Sequence, residues 1–139
     1  MILICGLPNA GKTTYSIQFP NVIHFDDIPH KTAKQQFIQC NQLVAEADED
    51  IVVEGVYNTS KRRKELLEAC KNKQHKVCIW IDTPIEECIE RELKYRQRSI
   101  NIIYSHNRFF EPPTYDEGWD EIIIVKGQSE TVVSNLSHK

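Results

Sequence analysis

The segment Gly6-Leu7-Pro8-Asn9-Ala10-Gly11-Lys12-Thr13-Thr14 brings two glycines, a lysine and two hydroxyls to the spacing G-x-x-x-x-G-K-[ST]. That spacing makes a phosphate-binding loop, because each part has a physical task. Gly6 and Gly11 permit backbone angles and close approaches that a side chain blocks. Asn9 is one of the few other types that tolerate a left-handed conformation. Successive N–H groups then face the phosphates, and the helix that follows offers its positive end. Lys12 is expected to reach the β- and γ-phosphates, and the Thr13 hydroxyl to ligate Mg²⁺. The expected cradle for ATP is Gly6, Pro8, Asn9, Ala10, Gly11, Lys12, Thr13 and Thr14.

Three further groups stand where phosphoryl transfer needs them. A hydroxyl acceptor must lose a proton, and a carboxylate takes it. Asp26 and Asp27 follow a short apolar run; a turn or helix cap is the structural alternative for both. Glu54 closes another apolar run, where it orients substrate, meets Mg²⁺ through water, or simply shapes a turn. Arg91, Arg96 and Arg98 lie at the end of one expected helix and the approach to the next, a position suited to a mobile lid over the γ-phosphate. Other nucleotide-binding classes fit less well. The guanine-reading N-K-x-D is absent, since Asn72-Lys73 is followed by Gln74-His75. No L-S-G-G-Q occurs either.

The elements that must position these groups alternate. Residues 1–5 are apolar, as a buried parallel strand is, and residues 12–19 read as a helix stopped by Pro20. Strands are expected over 22–25, 51–53, 77–81 and 121–125. Helices are expected over 32–47, 61–71, 84–98 and 100–110. In the first of these, Phe37, Ile38, Leu43 and Val44 share a broad apolar face. Ser60 is a candidate N-cap, and Thr83-Pro84-Ile85-Glu86 has capping-box spacing. Residues after Lys126 are polar and read as a frayed tail, leaving one domain over 1–126. The class is α/β: a three-layer P-loop NTPase fold, about five parallel strands with helices on both faces and a helical lid. Ligands of such sheets bind at the carboxyl ends of the strands.

Composition is that of an ordinary water-soluble domain, with 27% charged and 40% hydrophobic residues. No run is long enough to span a membrane, and the N-terminus does not read as a signal peptide. An intracellular, cytoplasmic setting is expected, where ATP and Mg²⁺ are at hand. Five cysteines without a C-x-x-C pair read as free buried thiols. The net charge of −3 argues against broad nonspecific nucleic-acid binding but leaves room for a local basic groove.

The chain resembles the kinase domain of polynucleotide kinases, within the small P-loop kinases. Gly6–Thr14 is similar to that family's G-x-P-x-S-G-K-[ST]-[ST]. His24-Phe25-Asp26-Asp27-Ile28 resembles its N-R-D-[DT] segment, which implies Asp26 as general base. The stretch 52–63 resembles I-D-N-T-N…R, placing Glu54 and Arg62 near the acceptor. The stretch 104–125 is similar to Y…F-E-x-P-T-x-x-E-G-F. The resemblance implies ATP and Mg²⁺ as cofactors, Lys12 and Asp26 as catalytic groups and Glu54 and Arg62 as substrate contacts; position adds Arg91 or Arg96 as the catalytic lid arginine and Asp27 as a substrate contact, in a lid spaced differently from the family's. A single-stranded nucleic acid is the implied acceptor; the alternatives are a nucleoside or other small molecule, or an ATP-binding or ATP-hydrolysing module in RNA processing. An arginine of the family pattern falls on Pro29 here, and its I-D-N-T-N aspartate on Glu54.

Overall fold

A computed structural model describes residues 1–135. Six strands form one sheet in the order β2-β3-β1-β4-β5-β6. They are β1 (Ile2–Cys5), β2 (Val22–His24), β3 (Val52–Glu54), β4 (Val77–Ile81), β5 (Glu121–Lys126) and β6 (Ser129–Val132). The first five run parallel, and β6 returns antiparallel on β5. β1 is central: Ile2 lies in register with Val52 on one side and Val77 on the other. Its carboxyl end is where the phosphate loop begins, at the point where the chain switches sides of the sheet.

Side chains alternate across the sheet, so one sheet makes two cores. Leu3, Cys5, Val53, Cys78 and Ile122 pack against α2 (Ala33–Glu46) and α3 (Ser60–Ala69). Ile4, Val52, Ile79, Ile81 and Val125 pack against α1 (Lys12–Ser16), α4 (Ile85–Arg91) and α5 (Asn101–Arg108). Both faces are therefore covered. All five cysteines are free and buried. No helix among the described residues is long and apolar enough to cross a membrane.

Several local expectations are corrected. The first helix stops at Ser16, not 19. On α2 the buried positions are Gln36, Cys40, Asn41 and Val44, while Ile38 and Leu43 face solvent. The cap of α3 is Thr59, whose hydroxyl accepts from the Arg62 N–H; Ser60 is already helical. Thr83 caps nothing; its hydroxyl donates to the Ala10 carbonyl at 2.7 Å and ties β4 to the phosphate loop. The long helix expected over 84–98 breaks at Arg91 into a wider π-turn, Glu92–Arg96, closed by Gln97 in left-handed backbone at φ 56°. The polar stretch after Lys126 begins as a hairpin rather than a frayed tail: Gly127, at φ 60°, turns the chain into β6. Residues 136–139 of the expected tail lie outside the described residues.

Candidate active site

The loop between β1 and α1 is shaped by three backbone positions. A Cβ on Gly6 would stand 2.7 Å from the Ile81 carbonyl oxygen, so only glycine lets the loop leave β1 beside β4. Asn9 (φ 65°) and Gly11 (φ 104°) take left-handed backbone. The N–H groups of Lys12, Thr13 and Thr14 form the first turn of α1 and have no acceptor within that helix.

The loop opens on a cavity of about 1160 Å³. Pro8, Asn9, Ala10, Gly11, Lys12, Thr13 and Thr14 line it, with Asp26, Glu54, Arg91 and Arg96. Gly6, Asp27 and Arg62 do not. Gly6 is spent on packing. Asp27 is exposed on the turn Phe25–Asp27. Arg62 stacks 4.2 Å over the Phe37 ring and pairs with Glu65 at 3.2 Å, away from the cavity. The substrate contacts expected at Asp27 and Arg62 are thus not on this wall.

Lys12 is 7% exposed and donates to the Leu7 carbonyl at 2.6 Å. Burial pushes its ammonium below the usual lysine range; the negative charge of Glu54 and Asp26 acts the other way. A buried cation with no carboxylate in contact is a ready site for an anion. The Thr13 hydroxyl donates to Glu54 Oε1 at 2.7 Å, and His24 Nδ1 lies 3.7 Å from Glu54 Oε2. One hydroxyl and one buried carboxylate are the hard oxygen donors that Mg²⁺ takes alongside phosphate and water. Thr13 and Glu54 therefore fit that ion. Among the described residues no cluster of three His, Cys, Asp or Glu forms an all-protein cage, which Mg²⁺ does not need.

Asp26 is held at the wall from behind. Phe25 packs on Phe37 and Tyr57 with ring centroids 4.5 and 5.6 Å apart, and Gln36 donates to the Phe25 carbonyl at 3.1 Å. The lid side is joined to the loop through Arg91, which donates to the Asn9 carbonyl at 2.7 Å.

Sequence reading missed four groups. Ile102 and His106 sit one turn apart on α5 and both line the cavity. Burial and Lys12 push His106 below the usual histidine range, and Asp26 opposes them. Gln128 and Glu130 bring the β5–β6 hairpin onto the other end of the wall. There the Tyr15 hydroxyl donates to Glu130 at 2.6 Å, and burial together with that bond pushes the phenol up to about 12. Helical spacing is the signal for the α5 pair; for the hairpin the one local signal is Gly127, since the polar residues after it do not alternate. Among the aromatics of residues 109–119, Phe110 packs on Trp80 and Trp119 is buried, while Phe109 is exposed.

No protein-family model and no curated protein matches the chain. Solved structures do. A gluconokinase from Sinorhizobium meliloti superposes with TM-score 0.69 at 13% identity, over 92% of this chain and 82% of that one. The chain shares the P-loop α/β fold of that structure. Chaetomium thermophilum Kti12, solved with ADP-AlF3, gives 0.67 at 15% identity over 91% and 89%. A fungal RNA kinase gives 0.62 at 15% identity over 90% and 75%. At these identities the likeness is one of P-loop kinase architecture, and the chemistry rests on this chain's own residues.

Proposed function

We propose that the chain is an ATP-dependent kinase that transfers the γ-phosphoryl group to a hydroxyl acceptor. One observation carries this reading: Lys12, the Thr13–Glu54 pair, Asp26, Arg91 and Arg96 share the wall of one cavity at the carboxyl end of the sheet. Lys12 and the loop N–H groups hold the β- and γ-phosphates. Thr13 and Glu54 hold Mg²⁺, which supplies positive charge to the phosphate oxygens when bound. Asp26 accepts the acceptor's proton. Arg91 and Arg96 stand where negative charge builds during transfer. The Kti12 structure with ADP-AlF3 supports a nucleotide in this fold.

The acceptor we favour is the 5′-hydroxyl of a single-stranded polynucleotide. Besides the motif segments, it is supported by the lid. Residues 93–110 hold Lys94, Arg96, Arg98 and Arg108 and no carboxylate, in a chain of net charge −3. Tyr95 and Phe109 are exposed among them, and cations beside open aromatic rings suit a single strand. A nucleoside or other small neutral acceptor is the second reading. It is favoured by Pro29 at the arginine position, by Arg62 lying off the wall, and by Arg98 being neutralised by Glu92 at 2.8 Å.

Transfer of labelled γ-phosphate to 5′-hydroxyl DNA and RNA oligonucleotides and to nucleosides tests both. Labelled oligonucleotide, with affinity falling steeply as salt rises, fits the first; label on nucleosides alone fits the second. Asp26→Asn should lower turnover by about 10²–10⁴-fold and leave ATP affinity near wild type. Unchanged turnover in Asp26→Asn rules it out as the base.

A further inference from the structure

Glu92 is a carboxylate that the proposed chemistry leaves unused, yet it is 0% exposed and touches two parts of the site. It accepts from Asn9 Nδ2 of the phosphate loop at 3.0 Å. It also accepts from Arg98 four times: from the backbone N–H at 2.8 Å, from Nη2 at 2.8 Å, and from Nε at 3.2 Å to each oxygen. Arg98 lines the cavity. Glu92 stands at the first residue of the π-turn, and the Gln97 N–H closes that turn on the Glu92 carbonyl at 2.6 Å. An ordinary α-helical continuation lacks the extra residue per turn that π geometry inserts. The hydrogen bonds from Arg98, then Asn9, hold the carboxyl at about 2, so it is ionised throughout the neutral range.

We propose that Glu92 is a positioning residue that fixes the phosphate loop and the lid arginine Arg98 in one relation, acting through Asn9 and Arg98 without touching substrate. Asn9 is clamped from the same helix at two more points, its Nδ2 donating to the Cys88 carbonyl at 3.3 Å and its carbonyl accepting from Arg91. A phosphate seated in the loop therefore meets a lid already registered to it. This deepens the kinase reading and rests on it for the effect on turnover, but the coupling itself is a property of nucleotide binding.

The test is a double-mutant cycle on the full chain, reading Mg·ADP affinity by fluorescence titration with a fluorescent ADP, and turnover with ATP. Asn9→Ala and Arg98→Ala should each weaken ADP binding or slow turnover by about tenfold, and the double variant should lose little more than either alone, as coupled neighbours do. Glu92→Gln should reproduce that loss and erase the coupling between the other two. Losses that multiply independently in Asn9→Ala/Arg98→Ala overturn the proposal, and do so even where Glu92→Gln does not fold. Wild-type affinity and turnover in a folded Glu92→Gln overturn it too. Coupled losses in ADP affinity, with no phosphoryl transfer to any acceptor, support the positioning role and defeat the kinase reading instead.

Discussion

Arg63–Glu117 and Arg98–Glu92 are the same chemical pair in two settings. Arg63 is 0% exposed and each of its three nitrogens donates: Nε and Nη2 go to Glu117 at 2.8 and 2.9 Å, Nη1 to the Tyr57 carbonyl, Nη2 to the Glu111 carbonyl. Trp119 adds its indole N–H to the same Glu117 oxygen. Neither partner reaches the cavity. Arg98 has the same buried kind of acceptor, but its own side chain is 47% exposed and lies on the cavity wall. A buried pair closed on itself can only hold loops together. A pair with one end open to the site can also fix the relation of two parts of that site. Arg63 joins the β3–α3 loop to the segment after α5, and Asn58 reinforces this by donating to the His106 carbonyl at 3.2 Å. Behind the cavity the arginine holds loops together; on the cavity wall Arg98 is the partner through which the proposed positioning by Glu92 would act.

The largest effect that sharpens this contrast is on stability. Arg63→Ala leaves Glu117 buried beside two carbonyls that lose their donors. It should cost about 3–5 kcal/mol, read as a lower midpoint in denaturant unfolding. A loss under about 1 kcal/mol would show that water enters and that the pair is no more buried than Arg98.

Arg98→Ala should behave in the opposite way. The Glu92 oxygens keep the Asn9 amide and the backbone N–H of residue 98. The melting temperature should fall by no more than about 5 °C, while turnover falls about tenfold or more. A folding defect as large as that of Arg63→Ala would erase the distinction between the two pairs.

Much of this was legible in the sequence, and the boundary is physical. The phosphate loop was readable because its function fixes both residue type and spacing, and the parallel strands because burial on both faces demands apolar runs. Asp26 and Glu54 were singled out as the residues just past those runs, and the fold brings both to the cavity wall. Arg62 and Arg63 were not separable: adjacent arginines at a helix start look alike, and only the packed partner, Glu117, some fifty residues later, decides which one is buried. The break at Arg91 was invisible because the contact that accompanies it, Asn9 donating to Glu92, is made across the fold. β6 was missed because an exposed edge strand needs no apolar alternation, and its burial is low at every position.

A third prediction concerns pH. The Glu92 carboxyl is held at about 2, below its ordinary 4.5, first by Arg98 and then by Asn9, against the cost of burial. A depressed carboxyl binds protons more weakly in the folded chain than in the unfolded one. Its stabilising contribution is therefore complete above 4.5 and is lost as pH falls through 2. The difference in unfolding midpoint between wild type and Glu92→Gln should be constant from pH 7 to 5 and shrink below 4.5. A gap that does not change with acid would place the charge of Glu92 in water rather than between the loop and the lid.

The smallest effect tests the comparison from outside it. Arg62 is one residue from the buried scaffold arginine, and a family resemblance puts it near the acceptor. The fold instead lays it over Phe37 with Glu65 as its partner. A half-exposed cation–π contact and an i,i+3 ion pair are together worth about 0.5–1 kcal/mol. Arg62→Ala should lose about that much stability and keep wild-type kcat and KM for both nucleotide and acceptor. A raised acceptor KM with unchanged kcat would mean that a polynucleotide runs past the cavity mouth and along α3. The run Lys61-Arg62-Arg63-Lys64 would then belong to the site, and only Arg63 within it would remain scaffold.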